Sequence, residues 1–108
     1  MSRYDAVNEK TTSIVTLSFT DESGSPVTPT SGTIRIDDLA SGTEIREAET
    51  FIPSSSTYSV TITSDENRIL DQDNSRELRC VTVIINYGVG KKATAEYKYY
   101  VTNLSKIT

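Results

Sequence analysis

Apolar and polar residues alternate in two long runs in the C-terminal part of the chain, Leu78 to Tyr87 and Ala93 to Leu104, joined by Gly88-Val89-Gly90-Lys91-Lys92. In the first run Val81, Val83, Ile85 and Tyr87 share one face; in the second Ala93, Ala95, Tyr97, Tyr99 and Val101 do. A period of two belongs to strands with one covered and one wet face, so these runs predict a long β-hairpin. Its apolar row needs another sheet packed over it.

The same alternation recurs upstream. Ser13 to Thr20 places Val15, Leu17 and Phe19 on one face, Thr33 to Leu39 places Ile34 and Ile36 inward with Arg35 and Asp37 outward, and Thr57 to Thr63 turns Tyr58, Val60 and Ile62 inward. Thr43 to Ala48 holds Ile45 as its one large apolar residue, and Glu44, Arg46 and Glu47 suit an edge strand, where charge discourages stray pairing. Phe51 and Ile52 are expected to plug the core before Pro53 and the serines 54 to 56 break the pattern. Ser64 as a cap, Asp65 and Glu66 behind it, and Ile69 and Leu70 folding back predict one short helical turn near 64–70.

Six or seven strands with turn signals every 8 to 12 residues predict an all-β fold, an immunoglobulin-like antiparallel β-sandwich of about seven strands. The expected organisation is a flexible N-terminal arm over 1–11, one sandwich domain over 12–105 and a short tail over 106–108. An antibody-type domain would add a tryptophan and a cysteine pair, and the chain has neither. A small barrel is the architectural alternative, because strand patterning does not distinguish closure from two packed sheets.

A chain of 108 residues suffices for one compact core. With two phenylalanines, no tryptophan and 35% hydrophobic residues, that core must use the six tyrosines as bulk. The net charge of −4 and eleven scattered basic residues predict no nucleic-acid partner, which would require a basic stripe. No apolar run approaches the ~18 residues of a membrane span, so no membrane partner is expected. Met1 to Lys10 lacks the apolar run of a signal peptide, which predicts a protein not secreted by that route.

The candidate chemistry is thin. Without histidine the chain lacks the usual general base and the commonest metal ligand. Asp71-Gln72-Asp73-Asn74-Ser75-Arg76-Glu77 spaces oxygen donors like a calcium loop, but Arg76 stands where that loop needs glycine and Thr82 where it needs a bidentate glutamate. Gly88-Val89-Gly90-Lys91-Lys92 lacks the upstream glycine, the Ser or Thr and the helix of a phosphate loop, and reads as a hairpin turn. Cys80 is a lone cysteine within a strand with no base to activate it. Asn103-Leu104-Ser105 fits the glycosylation pattern without a secretion signal. The expectation is no catalytic, cofactor-binding or metal-binding residues. On the outward face of the hairpin, Ile84 and Tyr100 form an expected apolar spot for protein contact, since tyrosine is enriched at interfaces.

Thr57-Tyr58-Ser59-Val60-Thr61-Ile62, Asp65 to Asp71, Arg79-Cys80-Val81-Thr82-Val83 and Glu96 to Leu104 together resemble small immunoglobulin-like all-β proteins from the head and tail assembly region of tailed bacteriophages and prophages. The resemblance covers about 12–105 and rests on strand and turn patterns. It implies a non-enzymatic structural or assembly protein, with other virion or phage assembly proteins or copies of itself as partners, found in the virion or, during assembly, in the bacterial cytoplasm. A carbohydrate-binding or adhesion module is the alternative, disfavoured by the lack of tryptophan; an enzyme would need a converging carboxylate pair that the sequence does not announce.

Overall fold

The computed structural model describes residues 4–106. Seven strands follow one another: β1 (Asp5–Asn8), β2 (Ser13–Ser18), β3 (Ser31–Asp38), β4 (Glu44–Phe51), β5 (Thr57–Ile62), β6 (Arg76–Gly88) and β7 (Lys91–Thr102), with a 3₁₀ turn at Leu104–Lys106. They form two sheets, one of five strands in the order β1-β7-β6-β3-β4 and one of two strands, β2-β5. The sandwich expected from the alternation is therefore formed, as two open sheets rather than a closed barrel. Its long axis measures 50 Å, set by the hairpin of β6 and β7, whose 13 and 12 residues would extend about 40 Å.

The inward rows are those the period-two pattern marks. Ile34 and Ile36 of β3, Val60 and Ile62 of β5, Val81, Val83 and Ile85 of β6, and Tyr99 and Val101 of β7 are buried together with Phe19 and Phe51. Phe51 stacks on Tyr58, ring centroids 4.5 Å apart, over Gly32, where an added Cβ would meet the Phe51 ring at 2.7 Å. Ile52 does not join this plug: it is 74% exposed, because it follows the last residue of β4. As expected, β4 is an edge strand.

The single helical turn near 64–70 is one i to i−4 hydrogen bond, from Asn67 N–H to the Thr63 carbonyl. Its cap is Thr63 rather than Ser64. Thr63 Oγ1 accepts from Glu66 N–H while Glu66 Oε1 accepts from Thr63 N–H, a reciprocal capping box. Within the segment read as an arm, Asp5–Asn8 lie parallel to the end of β7, with Asp5 opposite Tyr99 and Asn8 opposite Thr102.

One end of the sandwich encloses a polar cluster that the apolar pattern does not announce. Arg79 is fully buried and donates to Asp38 Oδ1 at 3.0 Å, Glu77 Oε1 at 2.7 Å and the carbonyls of Glu66 and Arg68 at 3.0 and 2.6 Å. Glu77 also accepts from Leu70 N–H, Asp71 N–H and Asn74 Nδ2, which folds the 71–75 loop around it. Burial pushes the Glu77 carboxyl upward, but these donors and Arg79 outweigh it and leave the group below its ordinary range. Beside it, Asn67 donates to the Thr11 carbonyl and Ser13 Oγ and accepts from the Tyr99 hydroxyl at 2.8 Å. Among the described residues every buried side-chain nitrogen and oxygen has a hydrogen-bond partner. The cluster fixes the link between β5 and β6, and with it the start of the hairpin.

Candidate partner-binding edge

The hairpin is longer than the structure beside it. β1 accompanies only Tyr99 to Thr102 of β7, and among the described residues no strand pairs with the outer edge of β7 from Lys91 to Lys98. The reason lies in how β1 is pinned. Glu9 N–H donates to the Thr102 carbonyl and Lys10 N–H to the Asn67 carbonyl, with Lys10 in the left-handed region at φ 59°, so the chain is turned away at one end of β1. At the other end it bends at Tyr4, whose ring packs edge-on against Tyr100.

The inner face of this overhanging segment is also uncovered. Ala93 and Ala95, expected inward, do point that way but are exposed, because the two-stranded sheet ends before reaching them. They border a cleft of about 160 Å³ with Ser18, Phe19, Thr20, Val83 and Ile85, where β2 leaves the sandwich. An open strand edge beside an apolar cleft is the geometry that receives another strand: backbone groups supply the ladder and alternate side chains enter the gap. Two exposed side-chain contacts flank the overhang. Lys91 Nζ pairs with Glu22 at 2.8 Å near the turn, and Tyr97 donates to Asp5 Oδ2 at 2.9 Å where β1 begins. Burial, with Asp5 beside it, pushes the Tyr97 hydroxyl up to about 12, so it remains a donor.

Ile84 and Tyr100 lie on the expected outer face, but the register separates them. Ile84 is opposite Thr94 and Tyr100 opposite Leu78, six positions or roughly 20 Å apart along the strands. Ile84 is 38% exposed, whereas Tyr100 is packed under Arg76, 4.0 Å from its ring centroid, and against Tyr4. They form no joint apolar spot. The sequence signal for the better site was the small size of Ala93 and Ala95 within an otherwise bulky inward row.

Other concavities are internally satisfied. A larger cleft of about 570 Å³ opens between β4 and β5, lined in part by Phe51, Tyr58, Arg46 and Glu66. Arg46 meets Glu66 at 2.5 and 2.7 Å and donates to the Thr61 carbonyl, so the pair neutralises itself across the gap. Although burial pushes the Glu66 carboxyl up, Arg46 and Thr63 hold it below its ordinary range. Cys80 is buried on the outer face and burial raises its thiol, which suits an unreactive packed side chain. Among the described residues no three of Cys, Asp and Glu converge to hold a metal ion, and no helix is long and apolar enough to cross a membrane.

No family model matches the chain, and no curated protein matches it. Among solved structures it is similar to the periplasmic chaperone SfaE, with a TM-score of 0.56 and 11% sequence identity over 94% of this chain. The match takes in 55% of SfaE, so the chain spans about half the length of that protein. At this identity the likeness shows the fold, an immunoglobulin-like β-sandwich. It also corrects two expectations. A phage structural or assembly protein, placed in the virion or the bacterial cytoplasm, finds no counterpart in this comparison, which returns a periplasmic chaperone instead. The motifs that carried the phage resemblance are strand and turn patterns, which immunoglobulin-like sandwiches of unrelated function share.

Proposed function

We propose that this domain is a non-enzymatic, chaperone-type protein-binding module that receives an extended segment of another polypeptide along the free edge of β7. The observation that carries this reading is the eight-residue overhang, Lys91 to Lys98, with its uncovered inner face at Ala93 and Ala95. An incoming strand would continue the five-stranded sheet and place one apolar side chain in the cleft beside Phe19, Val83 and Ile85. The similarity to a periplasmic chaperone supports the same class of activity, and we extend its compartment to this chain as part of the proposal. A sugar-binding role has less support: none of the six tyrosines is fully exposed, so the aromatic platform it needs is missing among the described residues.

Fluorescence anisotropy with labelled nine-residue peptides of alternating valine and threonine tests the reading. Saturable binding that Ala95→Arg removes by filling the cleft is the expected result. Absence of saturable binding, or binding indifferent to Ala95→Arg, would exclude the edge as the acceptor.

A further inference from the structure

The edge of β7 that is open among the described residues is complementary to itself. We infer that, when no partner segment is present, a second copy of this chain occupies the edge, with the two β7 strands antiparallel about a two-fold axis through Thr94. This inference rests on the reading of β7 as a strand acceptor and names one occupant for it.

Register decides which side chains would meet across the two copies. Side chains at even positions from Lys92 to Lys98 face outward and those at odd positions from Ala93 to Tyr97 face inward, as the pairing with β6 fixes. In a two-fold pairing centred on Thr94, Lys92 stands opposite Glu96 of the second copy, and by symmetry Glu96 stands opposite its Lys92. Thr94 meets its own counterpart on the axis. On the inner face Ala93 stands opposite Ala95 of the second copy, twice, so the closest inward pairs are small. Two opposite-charge cross-strand pairs and a Thr–Thr pair are each favourable in an antiparallel ladder. Lys92 has no ion pair among the described residues, and Glu96 has only a 3.5 Å contact from Cys80, so both are available.

Registers centred on Lys92, Ala95 or Glu96, and any shift by one residue, are worse. A shift by one residue turns the inward row of one copy onto the outward face of the other. Centring on Ala95 sets Lys92 against Lys98 of the second copy and brings Lys91 against Tyr99, where β1 already lies. Centring on Glu96 or Lys92 puts like charges on the axis. Thr94 is also close to the middle of the uncovered segment, so this register uses nearly the whole of the free edge.

Sedimentation velocity across a concentration series tests the pairing with Lys92→Glu, Glu96→Lys and the double variant carrying both. Each single substitution sets two like-charge pairs across the axis, and dimer dissociation constants should rise at least about tenfold. The double variant restores opposite charges and should return to near the wild-type value. Thr94→Cys in a Cys80→Ala background should oxidise to a covalent dimer, because directly opposed residues lie at disulfide-forming distance, whereas Lys98→Cys should not. A wild-type chain that stays monomeric at high concentration overturns the inference. So does a dimer unaffected by the single swaps, or a double variant that is not rescued. These readouts are independent of peptide binding: monomers that still bind the valine–threonine peptides refute self-pairing alone, and loss of peptide binding with an intact charge-swap cycle refutes partner capture alone.

Discussion

Arg79→Met provides the sharpest test of what holds the base of the hairpin. Methionine roughly fills the space of the arginine stem but supplies no donor. Asp38 Oδ1 then loses the guanidinium at 3.0 Å, while Asp38 Oδ2 keeps Ser41 N–H and Oγ. Glu77 loses the 2.7 Å contact but keeps Leu70, Asp71 and Asn74, and the carbonyls of Glu66 and Arg68 lose their donor. Removing one partner of a buried ion cluster costs about 3–5 kcal/mol, since the remaining charges stay out of water. Against a total of about 5–15 kcal/mol for a domain this size, that is a large share. In urea unfolding followed by circular dichroism, the midpoint should fall by on the order of 2 M, for a slope of about 1–3 kcal/mol/M. The acid side adds a second readout. Glu77 has a folded pKa lowered from 4.5, so its contribution to stability is present above that value and is lost as pH falls through the folded pKa. Without Arg79 that carboxyl is held less firmly, and the acid loss should begin at higher pH. A cost under about 1 kcal/mol, with an unchanged acid limb, would refute the account of Arg79 as an obligatory buried cation.

Three further outcomes follow from the packing. Tyr99→Phe should lose about 1–3 kcal/mol in the same urea assay, because it leaves Asn67 Oδ1 buried without its 2.8 Å donor. Gly32→Ala should lower thermal stability by about 1–3 kcal/mol, since its Cβ would press on the Phe51 ring stacked against Tyr58. Tyr97 and Tyr99, both pushed up to about 12 chiefly by burial, should ionise late in a phenol absorbance titration. Their folded pKa values are raised, so the stability they contribute is complete below pH 10 and declines as pH rises from 10 through 12.

The parts of the fold that are legible in the sequence are those set by local alternation. Val81, Val83 and Ile85 against Tyr99 and Val101, or Val60 and Ile62 in β5, sit on a strict period of two, and a half-buried strand leaves no other choice of face. Pairing register is not local, which is why Ile84 and Tyr100 looked adjacent when they are six positions apart. Nor does periodicity report where a covering sheet ends: Ala93 and Ala95 continue the inward row but border an open cleft and stay exposed. The buried cluster left a trace that polarity obscured. Glu77 and Arg79 continue the inward row that begins at Val81, and a charged pair in that row is the mark of an internal ion cluster once the strand is extended to Arg76. Asn67 and Asn103 carry no such periodic signal, since each is placed by loop hydrogen bonds.

The strand-accepting edge is tested most directly by residue-resolved amide exchange of β7, measured by NMR on monomeric Lys92→Glu with and without a saturating valine–threonine peptide. In the free protein, amides from Lys91 to Lys98 that face β6 should be protected and those facing the open edge should exchange rapidly, an alternating pattern. With peptide the fast set should slow, giving continuous protection to Lys98. Fast exchange that persists at the same residues under saturation, or protection that appears on another strand, would contradict the assignment of β7 as the acceptor.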